Sequence, residues 1–296
     1  MGKSCRWTVT SEGKPRGYIQ PAKLEEVWFH TGTSCNLSCP FCLEGSKPGD
    51  DRIQFLLFED ARPWIDEAVE LGVEKFSFTG GEPFVNPHFP RILDYALDRR
   101  PCLVLTNATD PLLNRMDKIL PLLEKPNPLS FRVSLDHPDP ERHDASRGKG
   151  NFRKALDTLG RLHRAGFGVS LARLASEFPD RAYLPFLEEA GLPPDIRIVT
   201  FPDLKLPGEN PEVPEITENC MTTYLDREKR EAFMCNFSKM VVKIDGRVSV
   251  YACTLVDDDP DFDLGESLAE AMEKRVMLKH HRCYSCFAFG ASCSER

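Results

Sequence analysis

Three thiols crowd one short stretch of the chain, Cys35-Asn-Leu-Ser-Cys39-Pro-Phe-Cys42. Thiolates are soft metal ligands, and three of them in one loop reach one face of an iron–sulfur cube while leaving the fourth iron open to a substrate-like molecule. A zinc knuckle would need a fourth Cys or His nearby, and the one candidate, His30, is predicted to sit on a strand. A second group, Cys235, Cys253, Cys283, Cys286 and Cys293, gathers near the C-terminus, whereas Cys5, Cys102 and Cys220 stand apart. Structural disulfides are rare in the reducing cytosol, so two clusters of soft ligands predict two separate metal centres.

The surrounding composition fits that chemistry. The 296 residues carry 11 cysteines, and 38 Lys+Arg against 46 Asp+Glu give a net charge of −8. That balance argues against nucleic acid or an anionic membrane as a partner, since both select a basic face. With 41% hydrophobic and 28% charged residues, the chain can build a sizeable core and is neither disordered, collagenous nor a coiled coil. No apolar run reaches the ~18 residues of a membrane span. The start, MGKSCRWTVTSEG, lacks the apolar stretch of a secretory signal, so a cytoplasmic location is expected.

The elements that must position these thiols alternate in type. Strands are predicted at 26–32, 75–80, 102–108, 129–136, 168–174 and 195–201 from their β-branched and aromatic runs, with helices near 59–71, 89–100, 112–124, 151–165 and 181–190. Leu112, Leu113, Met116, Ile119, Leu120 and Leu123 recur at helical spacing as one stripe, and Pro185 interrupts the fifth helix. Six strand–helix repeats imply a parallel α/β sheet, either doubly wound or an incomplete barrel, with reactive groups at the C-terminal strand ends. After Phe201, Pro202, Pro207, Pro211 and Pro214 mark a linker. Beyond it, MVVKIDGRVSVYAC predicts a hairpin turning at Asp245-Gly246.

The CxxxCxxC spacing, with aromatic Phe41 before the last cysteine, resembles the radical S-adenosylmethionine (AdoMet) superfamily. Gly80-Gly81-Glu82-Pro83 at the second strand end is similar to the family's GGEP segment. The resemblance implies that its backbone and Glu82 hold the methionine ammonium. Ser134 and Asp136, and Arg147 after them, are similar to segments that in the family meet the ribose and the carboxylate, and Asn107 ends the third strand where a polar residue often faces the cofactor. The resemblance spans residues 26–201 and implies a partial (β/α)6 TIM-like barrel. It also implies a 4Fe-4S cluster on Cys35, Cys39 and Cys42, bound AdoMet, and a reducing partner such as flavodoxin or ferredoxin. The expected organisation is an N-terminal extension (1–25), the barrel (26–201), a linker with a helix (202–234) and a small auxiliary iron–sulfur module (235–296).

The C-terminal cysteines resemble the auxiliary-cluster modules called SPASM and Twitch, which implies a second 4Fe-4S cluster. Four ligands are needed and five thiols are present. One set is Cys235, Cys253, Cys283 and Cys286, a spacing similar to that of aminocyclitol dehydrogenases. The other, favoured here because the family's hairpin cysteine position is Tyr251 in this chain, is Cys235, Cys283, Cys286 and Cys293, leaving Cys253 free over the barrel mouth.

A free thiol there would return a hydrogen atom to a substrate radical, so the expected reaction is epimerisation at a carbinol carbon of a cationic amino sugar or aminocyclitol, as in neomycin-type epimerases. Cys253 is then the donor, with Cys293 as its alternate. The competing expectations are dehydrogenation with the auxiliary cluster as electron acceptor, peptide maturation, and a noncatalytic electron carrier. Peptide maturation is disfavoured by the ~25 residues before the first strand, too few for a leader-binding domain. The electron carrier would leave GGEP and Arg147 without a role. Other signals are discounted: Asp257 to Asp263 is read as a solvated acidic turn rather than a calcium loop, Gly148-Lys-Gly150 lacks a dinucleotide fingerprint, and His137 and His143 are read as surface residues.

Overall fold

The computed structural model describes residues 7–201, 204–206 and 208–290. Its strands are β1 (Tyr18–Ile19), β2 (Glu26–His30), β3 (Lys75–Thr79), β4 (Cys102–Thr106), β5 (Leu129–Ser134), β6 (Gly168–Leu174), β7 (Ile198–Phe201), β8 (Ser238–Ile244), β9 (Arg247–Tyr251), β10 (Asp263–Gly265) and β11 (Val276–Met277). Strands β2 to β7 lie side by side in chain order, each parallel to the next. A parallel neighbour requires a crossover, and helices such as Phe58–Glu70, Phe89–Leu97 and Asn151–Ala165 supply it. The fold is therefore the α/β partial barrel of six parallel strands.

Burial explains why these runs became strands. Val241, Phe29, Phe78, Val104 and Phe131 form one row across β8, β2, β3, β4 and β5, and all five are fully buried. Both faces of a parallel sheet are covered, so its strands read as continuous apolar runs. Phe29 and Phe78 stack with centroids 5.5 Å apart. On the outer layer, Phe152, Ala155, Leu156, Leu159 and Leu162 form the buried stripe of Asn151–Ala165, which ends at Gly166 with φ +109°.

Two helices depart from expectation. Residues 112–124 do not form one helix: they divide into Asp110–Leu113, Met116–Ile119 and a 3₁₀ turn over Leu120–Glu124. Pro121 has no N–H to continue the ladder, and the tighter turn rotates the stripe, so Leu122 is buried while Leu120 and Leu123 are 43% and 41% exposed. Pro185 does not interrupt a helix, because it lies in the first turn of Leu184–Glu189, where its missing donor costs nothing.

The hairpin forms as its turn residues predict: Asp245 (φ +50°) and Gly246 (φ +76°) both take the left-handed conformation of a type I′ turn. Its attachment was not predicted. β8 pairs in parallel with β2, Trp28 opposite Met240, and β9 and β10 extend the sheet antiparallel beyond it. The hairpin flanked by Cys235 and Cys253 thus shares one sheet with the barrel. β1 and β11 form a separate two-stranded antiparallel ribbon. Among the described residues, no helix is long and apolar enough to cross a membrane.

Candidate functional site

The loop carrying Cys35 lies directly on the end of β3. Gly81 N–H donates to Gly32 O (2.9 Å) and Glu82 N–H to Ser34 O (3.2 Å). A Cβ on Gly81 would stand 2.4 Å from Ser34 O and 2.6 Å from Thr33 O, closer than any side chain tolerates. The two glycines were expected to admit a ligand, and they do line a cavity, but the atoms pressed against Gly81 belong to the cysteine loop. Gly81→Ala is therefore expected to displace that loop, lowering the melting temperature and the iron bound after anaerobic reconstitution together. Unchanged melting and unchanged iron would contradict the contact.

One cavity gathers most of the predicted residues. Cys35, Cys39 and Cys42 line it together with Phe41, Gly80, Gly81, Asn107, Ser134, Asp136 and Arg147. Glu82 and Pro83 are not among the lining residues. Glu82 is buried and turned into the fold: its carboxylate accepts from Thr106 Oγ1 (2.9 Å), Asn107 N (2.8 Å) and Phe84 N (3.2 Å). Burial pushes its carboxyl up to about 7, against the pull of those N–H groups. Its oxygens tie the GGEP turn to β4.

Asn107 is likewise occupied. Its Nδ2 donates to Asn36 Oδ1 (3.0 Å) and reaches Cys35 Sγ (3.8 Å), while its Oδ1 accepts from Thr109 Oγ1 (2.6 Å) and Thr109 N (3.1 Å). Asn36 donates in turn to Thr109 Oγ1 (2.9 Å). These three residues clamp the cysteine loop to the end of β4, and Asn36 and Thr109 were not singled out from sequence. Opposite them, Arg147 bonds the carboxylate of Asp136, Nη2 to Oδ1 at 3.3 Å and Nε to Oδ2, with its guanidinium 5.8 Å from the Phe41 ring. Burial opposes the Arg147 charge, and Asp136 with the Cys39 and Cys42 sulfurs outweighs it, so the cation is held.

The donor set fits a three-thiolate cluster. Burial drives the Cys35 thiol up to about 12, partly offset by the Leu37 N–H at 3.4 Å, and burial raises Cys39 while Arg147 pulls it down. Protonated thiols are what such a pocket favours when no metal binds them, and metal binding exchanges those protons for a cation. Among the described residues, the one set of three or more ligand atoms mutually within 4.8 Å is His30, Glu44 and Asp257. At least one pair among the Cys35, Cys39 and Cys42 sulfurs is therefore farther apart than the ~3.8 Å that a tetrahedral site with ~2.3 Å Zn–S bonds would need.

A second, apolar cavity collects the other thiols. Cys235, Cys253, Cys283 and Cys286 all line it, with Phe233, Met234 and Phe262 among its walls. Burial pushes Cys235 up to about 11 and Cys253 and Cys283 well above the ordinary thiol value; the other three sulfurs of the group also act on Cys253. Cys253, expected either as a free donor or as an alternate ligand, stands with the other three thiols of this group. β9 leaves the sheet at Tyr251, opposite Met240, and delivers Cys253 into this second group, away from the walls of the first cavity. Cys293 lies outside the described residues, and no disulfide joins the described cysteines. Leu255 lines both cavities. Arg282, fully buried and also missed from sequence, binds Leu255 O (3.3 Å), Leu43 O (3.0 Å) and Lys205 O (2.8 Å), locking the two cysteine regions together.

His30 and Glu44, with Asp257 beside them, form a hydrogen-bonded group. Gly32 N–H donates to His30 Nδ1 (3.2 Å), which assigns the proton to Nε2, and Nε2 donates to Glu44 Oε2 (3.1 Å). Burial lowers His30 to about 4 and raises both Glu44 and Asp257. Glu44 lines the first cavity beside Ser46 and Thr254, whose buried hydroxyls have no hydrogen-bond partner among the described residues.

Comparison with known proteins points the same way as this geometry. A model of the radical SAM superfamily matches residues 29–175. The chain is similar to the antilisterial bacteriocin subtilosin biosynthesis protein AlbA of Bacillus subtilis (strain 168), 31% identical over 57% of this chain and 36% of that protein. It is also similar to the mycofactocin maturase MftC of Mycolicibacterium smegmatis, 32% identical over 45% of this chain and 33% of that protein. The chain thus spans about a third of the length of these relatives. In fold it resembles Streptococcus suis SuiB bound to S-adenosylmethionine, with a TM-score of 0.64 and 12% identity over 85% of this chain and 66% of that one.

Proposed function

Residues 29–175 of this chain belong to the radical SAM superfamily, and from that premise we propose an enzyme that removes a carbinol hydrogen atom from a small, amine- and hydroxyl-bearing substrate, whose radical then loses its hydroxyl proton to solvent and passes the remaining electron to a second iron–sulfur site. The outcome is dehydrogenation. Members of the superfamily bind a 4Fe-4S cluster and AdoMet, which together supply a 5′-deoxyadenosyl radical able to abstract hydrogen from an unactivated carbon. In this chain Cys35, Cys39 and Cys42 would hold the cluster, the Gly80-Gly81 backbone would border the methionine moiety, and the fixed Arg147 cation would receive its carboxylate.

The observation that carries the reading is the convergence of Cys235, Cys253, Cys283 and Cys286 on a cavity that shares Leu255 with the first. A four-thiolate site one side chain away suits an electron acceptor. The grouping of Cys253 with the other three thiols supports a ligand role for it over hydrogen-atom return, and so dehydrogenation over epimerisation. Glu44, Ser46 and Thr254 support a substrate rich in hydrogen-bonding groups, since two buried hydroxyls and a carboxylate on a cavity wall favour such a ligand over an apolar one.

A second reading, modification of a peptide, is favoured by the similarity to AlbA and MftC. Product analysis in deuterium oxide tests the proposal: the reduced enzyme, AdoMet and a panel of aminocyclitols, amino sugars and candidate peptides are expected to yield a small molecule two hydrogens lighter. Solvent deuterium retained at an inverted carbon would overturn dehydrogenation, and a modified peptide alone would overturn the small-molecule substrate.

A further inference from the structure

The second cavity has an unexplained charge beside it. Lys239, on β8, is fully buried, and no carboxylate lies within ion-pairing range of it among the described residues. Its Nζ donates to Cys235 O and Ser238 O, both at 2.8 Å, which satisfies two of its three N–H groups. Burial disfavours its charge, and the groups that pull the other way are the sulfurs of Cys235 and Cys253. A buried ammonium without a counter-charge costs several kcal/mol, and two neutral carbonyls do not replace a carboxylate. Thiols in an apolar pocket are neutral. Four thiolates around a bound cluster leave a net negative charge.

We propose that Lys239 is the counter-charge of the second iron–sulfur site and sets its reduction potential. This rests on the reading that Cys235, Cys253, Cys283 and Cys286 hold a cluster. Reduction adds an electron to an already anionic group in a low-dielectric pocket, and a cation hydrogen-bonded to the backbone of one ligand, Cys235, stabilises the reduced form more than the oxidised one. Lys239 thereby makes the site a better acceptor for the electron left on the substrate. It touches the ligand backbone rather than the substrate, so it is a positioning and tuning residue.

The test compares wild type, Lys239→Met and Lys239→Arg as reconstituted holoenzymes, reading iron and zinc content and the potential of the second site by EPR-monitored redox titration. Lys239→Met is expected to lower that potential by at least 59 mV, a tenfold change in the oxidised-to-reduced ratio at fixed poise for one electron. Lys239→Arg should stay near wild type. Loss of the second site in Lys239→Met with retention in Lys239→Arg would equally support a required charge. A fully loaded Lys239→Met with unchanged potential, or loss of the site in both variants, would overturn the proposal and leave Lys239 as a cap for the carbonyls of residues 235 and 238. Should wild type itself carry only one cluster, or zinc in the second site, the underlying reading fails instead, and the metal count alone reveals it.

Discussion

Cys253→Ala is expected to leave AdoMet cleavage running while the oxidised product disappears. The first cavity keeps all its lining residues in this variant, because Cys253 contributes only to the second. 5′-Deoxyadenosine should still form, whereas oxidised product falls on the order of a hundredfold, about 2.7 kcal/mol in barrier. Iron should drop from about eight to about four per chain, one 4Fe-4S cluster. The same variant separates the competing assignments of this thiol. A hydrogen-atom donor outside the cluster would leave about eight irons in place, and that result would return Cys293 to the ligand set.

Cys39→Ala should act at the opposite end of the reaction. Its thiol stands on the wall of the first cavity, near enough to Arg147 for each to shift the other. With two thiolates left the cluster has no stable seat, so 5′-deoxyadenosine and product should both fall to background, at least about a thousandfold. The second site should keep its iron, giving about four atoms per chain from Cys235, Cys253, Cys283 and Cys286. Deoxyadenosine formation persisting near the wild-type rate would remove Cys39 from the ligand set.

The six parallel strands were legible because their buried apolar runs are local signals, and Val27-Trp28-Phe29 or Phe76-Ser77-Phe78 announce themselves whatever they pair with. The Cys35, Cys39 and Cys42 loop was legible for the same reason. What escaped depends on contacts between distant segments. Nothing in the hairpin sequence says that Met240 will lie opposite Trp28, yet that pairing decides which cavity receives Cys253. Glu82 belongs to a motif, but its carboxylate is claimed by Thr106 and by the Asn107 and Phe84 N–H groups. Asn36, Thr109 and Arg282 act by tying separate loops, and only the proximity of Asn36 and Arg282 to cysteines hinted at it. The stripe across 112–124 misleads because Pro121 cannot continue the helical ladder that its periodicity implies.

The similarity to maturases bears on substrate size rather than on this chemistry. It covers about a third of those proteins, and the walls formed by Glu44, Ser46 and Thr254 lie partly beyond the region matched by the family model, since Thr254 follows residue 175.

The most direct test of the central claim is the EPR spectrum of the dithionite-reduced, reconstituted Cys253→Ala protein before and after AdoMet is added. In that variant the Cys35, Cys39 and Cys42 site should be the sole remaining cluster. The account predicts a 4Fe-4S signal that changes on AdoMet addition, followed by 5′-deoxyadenosine in solution. A signal that does not respond to AdoMet, with no 5′-deoxyadenosine released, would contradict it.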